Sequence, residues 1–383
     1  GSSDVCSSDL GVIVSRTDRS GFADWWWTID RMALVGTLGL IAIGVVLAFA
    51  ASPAATGGSD TAGNFGYAMK QLTFAIMAVT IMFSASTLNP KKMRMLAAVL
   101  FALALIGATI ALFTSDEVGG ARRWIDFGGL KLQPSEFLKP AFAVLIAAIL
   151  SDKLKHGGRG DLVVLGLLTL VVSVLLMQPD VGQTMLIVVL SVAMLFFAGL
   201  SYYWIALLGA GSGALAVLAY VLHPHVRERV NQFLDPSTGY QTGLAMKAFQ
   251  AGGFVGVGPG AGVVKYRLPD SHTDFIYAVA GEEFGFILCI LIVALFALIS
   301  IRLLLRSSRS RDPFVQLAGA GLGLIIGLQA FINMGVNLSI LPAKGMTLPF
   351  ISYGGSSLLA VALTLGLALG VTRRRPTLPN EMQ

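Results

Sequence analysis

The chain has 383 residues, of which 55% are hydrophobic and only 13% are charged. Soluble domains average about 25% charged residues, so this composition excludes an ordinary soluble globular domain and argues against intrinsic disorder. The 27 Lys and Arg outnumber the 21 Asp and Glu, which gives a net charge of +6. In a membrane protein such an excess lies mainly in cytoplasmic loops, and it therefore does not indicate nucleic-acid binding.

The first ten residues, GSSDVCSSDL, differ in composition from the rest of the chain. They are rich in Ser and lack the apolar core of a signal peptide, so we interpret residues 1–10 as a non-native remnant. Residues 11–30 then form a short cytoplasmic segment. We expect the first apolar run to direct the chain into the membrane.

Ten apolar runs follow, and most approach the roughly 20 residues that a helix needs to cross a bilayer. They cover residues 31–51, 68–88, 95–114, 135–150, 162–177, 181–200, 203–222, 275–301, 314–341 and 350–371. We predict an all-α, polytopic integral membrane protein with about ten transmembrane helices over residues 31–372 and a cytoplasmic tail over 373–383. An even number of spans places both termini on one side.

The distribution of Lys and Arg predicts the orientation. Basic residues gather in the connections at 91–94, 153–159 and 302–311 and in the tail, so this side is expected to be cytoplasmic. The opposite side carries two long connections, 115–134 and 223–274, the second of them between spans 7 and 8. Long connections in a compact fold usually carry function, so we predict an extracytoplasmic active face and an ordered 223–274 loop.

Residues 268–275 read LPDSHTDF and end where the long loop enters a span. Asp274 at this boundary either caps the helix or presents a carboxylate that accepts a proton at the membrane surface, and the residues alone leave both interpretations open. His272 and Thr273 precede it as supporting residues. Glu282 and Glu283 follow inside the predicted span, where we expect ion pairs across the bundle rather than a direct chemical role.

The shorter outer loop carries Arg122, Arg123 and Trp124. Arg side chains bind phosphate with two hydrogen bonds and Trp favours the membrane interface, so this group suits an anionic lipid head group or general interfacial anchoring. Glu136 and Lys139 follow, one helical turn apart. We predict that these two form a buried structural pair that lines a cavity.

A third outer segment, residues 341–357, reads LPAKGMTLPFISYGGSS. Lys344 is its lone charge, and a compact cation here can neutralise phosphate. Ser352 and Ser356 offer hydroxyl groups near a helix start, which is a natural anion site, although small residues also serve tight helix packing. Asp180, in the tight turn QPD between two spans, is a further supporting candidate.

The glycine-rich stretch 252–262 resembles a nucleotide-binding loop only weakly, because no strand precedes it and no P-loop Lys-Ser/Thr pair follows it. We interpret it as backbone bends that need glycine torsions. The spacing of Cys and His fits no transition-metal motif, so no metal ligands are assigned. A divalent cation, Mg²⁺ or Mn²⁺, bound beside a pyrophosphate remains open.

Five stretches together resemble the SEDS family of bacterial cell-wall polymerases: GARRWI, QPSEFLK, QPDVGQT, LPDSHTDFIYAVAGEEFG and LPAKGMTLPFISYGGSS. They are spread over residues 33–371, and the KGMT segment resembles the division branch of the family more than the elongation branch. The resemblance implies a peptidoglycan glycosyltransferase that polymerises lipid II at the division septum, in the bacterial inner membrane. It identifies Asp274 as the essential carboxylate and Lys344, with Arg122 and Arg123, as groups that bind pyrophosphate.

The resemblance also implies partners: lipid II and undecaprenyl-linked glycan, membrane lipid, a class B penicillin-binding protein and other divisome proteins. One position departs from the family pattern. Some members place a carboxylate eight residues before the essential Asp, where this chain has Tyr266 between Lys265 and Arg267. We therefore predict no second acidic group from that position.

The implied reaction is a single displacement in which Asp274 accepts the proton of the acceptor sugar's 4-hydroxyl and cations stabilise the leaving pyrophosphate. Three alternatives remain at this stage. They are a lipid II flippase with Glu136, Lys139, Glu282 and Glu283 along its path, an elongation polymerase, and a division scaffold without chemistry.

Overall fold

The computed structural model describes residues 21–55, 65–115, 122–128, 130–222, 224–234, 240–342 and 345–373. These residues form thirteen α-helices, one 3₁₀ turn and a two-stranded hairpin. The helices before the hairpin are α1 (Gly21–Thr28), α2 (Arg31–Ala55), α3 (Gly66–Ser86) and α4 (Pro90–Thr114). The antiparallel strands β1 (Ile125–Phe127) and β2 (Leu130–Leu132) follow, with Ile125 opposite Leu132.

After the hairpin come α5 (Pro134–His156), α6 (Gly160–Met177), α7 (Val181–Phe197), α8 (Tyr202–Leu222), α9 (Pro224–Leu234) and α10 (Tyr240–Gly252). The 3₁₀ turn Val264–Tyr266 leads to α11 (Ile276–Ser308), α12 (Pro313–Asn337) and α13 (Gly355–Val371). Proline at the first helical position begins α4, α5 and α12, where its missing N–H costs no hydrogen bond. Asp180 and Asp312 cap α7 and α12 by accepting from backbone N–H groups.

Each of the ten predicted spans coincides with a helix, namely α2 to α8 and α11 to α13. Six of these are long and apolar enough to cross a membrane, α2, α3, α4, α6, α11 and α12, and α7 and α13 are shorter apolar helices. The predicted polytopic membrane fold is confirmed. The described parts of the long loop at 223–274 contain α9, α10 and the 3₁₀ turn, whereas residues 223 and 235–239 lie outside the described residues.

Helix α12 is the centre of the bundle, where it contacts α5, α7, α10, α11 and α13. Two-thirds of its most apolar stretch is buried inside the protein, against about a quarter for α4 and α6. Helix α13 packs closely on α3, where a Cβ atom at Gly366 would lie 2.6 Å from the Met82 carbonyl oxygen. Small residues permit such close approach between membrane helices.

Helix α11 is broken at Gly285, whose φ of 73° and ψ of −172° are not helical. The predicted span at 275–301 is therefore a short helix, residues 276–284, followed by a long one. Residues 252–262, here called the glycine strap, lie against the break. Four backbone hydrogen bonds of 3.0–3.3 Å join them: Val257 and Gly258 donate to Glu282 and Glu283, and Phe286 and Ile287 donate to Gly253 and Phe254. The strap supplies partners for groups that an unbroken helix would pair internally.

Among the described residues, the basic side chains predicted to be cytoplasmic lie at the helix ends remote from Asp274. Arg302 and Arg306, near the end of α11, both pair with Asp30 at 3.1 Å and 2.8 Å. Lys153 and Lys155, at the end of α5, pair with Asp161 and Asp312. One end of the bundle is therefore an ion-paired basic surface, and the other end carries the polar groups described next.

Candidate active site

Asp274 is partly buried and immediately precedes the first turn of α11. Its backbone carbonyl accepts two hydrogen bonds from carboxamides of α12, at 3.0 Å from Asn333 Nδ2 and 2.9 Å from Asn337 Nδ2. Asn333 also donates to the Met346 carbonyl at 2.6 Å. These contacts join the start of α11, the end of α12 and the 341–357 segment around the candidate base.

The two residues before Asp274 are held in the same way. The N–H of Tyr353 donates to the His272 carbonyl at 2.9 Å. The Ser352 hydroxyl donates to the Thr273 carbonyl at 2.6 Å and accepts from the N–H of Leu348 at 2.7 Å. Ser352 thus connects two backbones here, and its predicted role in binding pyrophosphate remains a prediction.

The ring of His272 lies in an aromatic cluster with Tyr67 and Tyr353, at centroid distances of 4.8 Å and 5.8 Å. Burial lowers the pKa of His272, and the nearby Asp270 carboxylate only partly opposes this effect, so the neutral imidazole is favoured. A cavity of about 320 Å³ lies beside the ring and is lined by residues 266–272 and Ala54. Among the described residues, His272 Nδ1 has no hydrogen-bond partner.

Lys344 lies outside the described residues, so the structure does not test its role. Its neighbour Gly345 is described, and a Cβ atom built there would lie 3.4 Å from Asp274 Oδ2. The segment that carries Lys344 therefore passes directly beside the Asp274 carboxylate. Further along it, the Thr347 and Ser357 hydroxyls are 2.6 Å apart, and buried Ser356 Oγ has no partner within the described part of the chain.

Glu136 and Lys139 form the buried pair that their spacing predicted, with Lys139 Nζ 2.8 Å from Glu136 Oε2. Two amides complete the pair. Gln183 Nε2 donates to Glu136 Oε1 at 2.6 Å, and Lys139 Nζ donates to Gln329 Oε1 at 2.9 Å. Gln329 in turn donates to the Thr347 carbonyl at 3.2 Å, which links the pair to the segment beside Asp274.

Arg123 and Asp180 meet at the same end of the bundle. Arg123 Nη2 donates to the Pro179 carbonyl at 2.9 Å, and its Nε lies 3.6 Å from Asp180 Oδ2. Burial raises the pKa of the Asp180 carboxyl, while the Arg123 guanidinium opposes that shift. Arg122 is exposed, and the Trp124 carbonyl accepts from the Ser115 hydroxyl at 2.6 Å. The roles of Arg122, Arg123 and Trp124 in binding lipid remain predictions.

Glu283 and Glu282 differ in the groups that they bind. Glu283 pairs with the fully buried Lys265, whose ammonium group also donates to the Ala50 carbonyl of α2 at 2.8 Å. Glu282 forms no ion pair with the part of the chain that the structure describes and instead accepts from the backbone N–H groups of residues 263–265 at 2.6–2.9 Å. Within the described residues the predicted ion pair is therefore correct for Glu283 and wrong for Glu282, because the chain just after the strap turns three backbone N–H groups towards the Glu282 carboxylate.

Sequence reasoning assigned no role to Gln329, Asn333 or Asn337, which contact Lys139 or Asp274. A signal was present, because three carboxamides at i, i+4 and i+8 fall on one face of an otherwise apolar helix. Buried amides in such a helix need partners, so the stripe predicts a polar contact along one side of α12.

The described residues contain no group of three His, Cys, Asp or Glu side chains close enough to hold a metal ion. Mg²⁺ is usually held by one or two carboxylates together with substrate phosphates and water, so the divalent cation expected from the sequence stays a prediction.

The architecture and this site define a class: a polytopic α-helical membrane protein with a carboxylate and a buried polar network at one end of its bundle. A family model described as "Cell cycle protein", named for FtsW, RodA and SpoVE, matches residues 31–376. The chain belongs to this family, in agreement with the resemblance seen in its motifs.

Named relatives agree with this membership. A probable peptidoglycan glycosyltransferase FtsW of Caulobacter vibrioides is 45% identical over 368 residues, which cover 94% of each chain. The protein of the same name in Coxiella burnetii is 34% identical and covers 90% of this chain and 96% of that one.

Solved structures share the fold. One is described as "Structural coordination of polymerization and crosslinking by a peptidoglycan synthase complex". It has a TM-score of 0.72 and 28% identity, covering 91% of this chain and 98% of that one. The rod shape determining protein RodA of Thermus thermophilus has a TM-score of 0.69 and 26% identity, covering 92% of this chain and 99% of that one.

Proposed function

We propose that this membrane protein is a peptidoglycan glycosyltransferase that polymerises lipid II into glycan strands. Its family membership supports the proposal, and so does the name shared by relatives at 34–45% identity. The observation that carries the chemistry is the placement of Asp274. Its backbone carbonyl is held by α12, the preceding Thr273 carbonyl is held by Ser352 of the 341–357 segment, and its carboxylate lies beside the segment that carries Lys344.

In the proposed reaction, the acceptor sugar's 4-hydroxyl oxygen attacks the anomeric carbon of the donor and gives its proton to the Asp274 carboxylate. The bond between that carbon and the lipid pyrophosphate breaks, and the pyrophosphate leaves with the bonding electrons. Lys344, Arg122 and Arg123 stabilise the negative charge that develops on it. The polyprenyl tails stay in the bilayer between the helices. A divalent cation carried in by the pyrophosphate remains compatible with this scheme.

The relatives named FtsW support a role in division rather than elongation, and we place the protein at the septum of the bacterial inner membrane with its active face outside. A partner that crosslinks strands is part of the proposal. The similar fold in a synthase complex that coordinates polymerization with crosslinking supports it. We propose that this partner is a class B penicillin-binding protein and that other divisome proteins join them.

The deciding experiment compares purified parent and Asp274→Asn protein on lipid II in detergent. The amide keeps the shape of the side chain and the backbone contacts but removes the base, so the initial rate of strand formation should fall by about 10²-fold or more. Asp270→Asn is the matched control, because Asp270 is an exposed carboxylate of the same loop and its φ of 52° suits Asn.

Normal strand formation by the folded Asp274→Asn variant would contradict the proposal and leave Asp274 as a structural residue. Failure of the parent itself to polymerise, combined with transfer of lipid II across vesicles, would favour the flippase. Failure in both assays would favour the scaffold.

A further inference from the structure

The side chain of Asn337 occupies a specific gap in the first turn of α11. Asn337 is fully buried on α12, where its Nδ2 donates to the Asp274 carbonyl at 2.9 Å and its Oδ1 accepts from the N–H of Ala278 at 3.1 Å. In a regular helix the Asp274 carbonyl would accept directly from the Ala278 N–H, four residues later. Here the Ala278 N–H is instead shared between Asn337 Oδ1 and the Phe275 carbonyl, 3.0 Å away, so the carboxamide is inserted between the two groups that would close a regular turn.

Only one side-chain type of this size meets both requirements. A side chain placed between the Asp274 carbonyl and the Ala278 N–H must offer a donor to the first and an acceptor to the second, and this fixes the orientation of the Asn337 amide. An ionised Asp could not donate, and Leu could do neither. Asn333 also donates to the Asp274 carbonyl, so the backbone retains one donor when Asn337 is altered.

The inserted amide matters because it completes the restraint on Asp274. The carbonyls of His272 and Thr273 are held by Tyr353 and Ser352, and that of Asp274 by the two asparagines. Peptide groups are planar, so fixing the planes before and after Asp274 fixes the direction of its Cα–Cβ bond. If the turn closed directly onto Ala278, the plane after Asp274 would rotate and carry the carboxylate with it.

We propose that Asn337 is a positioning residue that keeps Asp274 out of the regular helix and aims its carboxylate at the reacting hydroxyl. The proposal rests on the proposed function, in which Asp274 is the general base. Asn337 itself does not touch the substrate and acts through the backbone of Asp274.

The test is Asn337→Ala, assayed on lipid II in detergent at several substrate concentrations and pH values. A carboxylate misplaced by about 1 Å should lower the saturated initial rate by about 10- to 100-fold. The half-saturating lipid II concentration should stay within about twofold, because ground-state binding is unchanged. The pH at half-maximal rate should stay in place, since the variant alters where the carboxylate points.

Val336→Ala is the matched control, because Val336 is buried beside Phe275 and Ala278 and has no amide to remove. Its saturated rate should stay within about threefold of the parent, in the range expected for a modest loss of packing. Equal loss in both variants, a parental rate for Asn337→Ala, or a change confined to the half-saturating concentration would each overturn the positioning role. If the Ala variant folds poorly, Asn337→Ser is used in its place, because a single hydroxyl group cannot bridge the Asp274 carbonyl and the Ala278 N–H.

A double substitution separates this proposal from the function on which it rests. In an Asp274→Asn background, Asn337→Ala should lower the residual rate no further, because its effect passes through the base. A further loss would show that Asn337 acts independently of Asp274 and would overturn the positioning role. A normal rate for Asp274→Asn alone would instead refute the proposed base, whatever Asn337 does.

Discussion

Three carboxylates lie within ten residues of one another at the start of α11, and their different surroundings give them different roles. Glu282 accepts three backbone N–H groups and Glu283 binds a buried ammonium group, so both carboxylates serve as hydrogen-bond acceptors for fixed protein donors. Asp274 is the partly exposed member, and its backbone rather than its carboxylate carries the two α12 contacts. The environment thus separates a candidate base from two structural anchors.

We expect Glu282→Gln to lower the stability of the protein, although Glu282 has no role in the proposed reaction. A Gln side chain has one acceptor oxygen in place of two and brings an NH₂ group against N–H donors, so at least one of the three N–H groups loses its partner. The expected cost is about 1–3 kcal/mol, measured as a lower melting temperature in detergent. Asp270→Asn, which removes an exposed charge from the same loop, should change the melting temperature little. Equal shifts in the two variants would show that Glu282 is not an anchor.

Lys139→Met should lower the stability of the protein more than the position of Lys139 in an apolar helix suggests. It leaves Glu136 buried and charged with Gln183 as its remaining described donor, at an expected cost of about 3–5 kcal/mol. Adding Glu136→Gln should recover part of the lost stability, because the double variant no longer buries a carboxylate without its cation.

Lys153→Met, at the other end of α5, is the control for this pair. Its partner Asp161 is partly exposed, and such pairs contribute about 0–1 kcal/mol. Melting temperatures and strand formation in detergent check both substitutions. If Lys139→Met polymerises normally in detergent but fails to move lipid II across vesicles, the cavity role is refuted and the flippase is favoured.

At this scale the sequence predicts local relations better than distant ones. The Glu136–Lys139 pair follows from an i,i+3 spacing. The contact of Lys139 with Gln329 joins residues 190 positions apart, and no spacing in the chain foretells it. The same holds for Ser352 and Thr273, whose contact depends on how the 341–357 segment folds over the start of α11.

At the scale of elements, the break in α11 shows what a hydropathy pattern misses. Apolar length predicted all ten helices, because burying or lipid-solvating a long apolar run requires paired backbone groups, and the helix provides them. Gly285 is one of 44 glycines and lies in a run that reads as a continuous span. Its non-helical torsions depend on the strap, which is a tertiary partner that hydropathy does not reveal.

Gly285→Ala should therefore be far more harmful than other glycine substitutions nearby. The φ of 73° and ψ of −172° lie in a region that is essentially restricted to glycine, and a Cβ atom would lie 2.5 Å from the Gly256 nitrogen. We expect a loss greater than about 3 kcal/mol, seen as failure to fold or a much lower melting temperature. Gly253→Ala is the control, since its φ is 54° with no atom within 4 Å, and should cost about 1–2 kcal/mol. Equal losses of stability in the two variants would show that Gly285 is no more tightly constrained than Gly253.

At the scale of the whole molecule, the two ends of the bundle differ in charge and chemistry. Asp274, the Glu136–Lys139 pair and Arg123 gather at one end, and the ion pairs of Asp30, Asp161 and Asp312 lie at the other. The positive-inside pattern predicts that the second end faces the cytoplasm.

Cysteine labelling tests this orientation directly. In a Cys6→Ser background the remaining Cys289 is buried, so an introduced thiol can be read separately. An impermeant maleimide added outside should label Gln250→Cys, which is exposed on α10. It should reach Arg309→Cys, after α11, only when the membrane is opened. The reverse pattern would invert the predicted topology.

The strap has a consequence for how this part of the protein opens. Two amides of α11, those of Phe286 and Ile287, and two amides of the glycine strap, those of Val257 and Gly258, are hydrogen-bonded where the strap meets the break. Separating the strap from α11 exposes all four at once. Deuterium exchange should therefore proceed in the loop and the upper part of the span as one cooperative unit, in contrast to the independent fluctuations usual for surface loops. We therefore expect the strap to move together with its span, and a displacement of the strap to reach α11 at the Gly285 break.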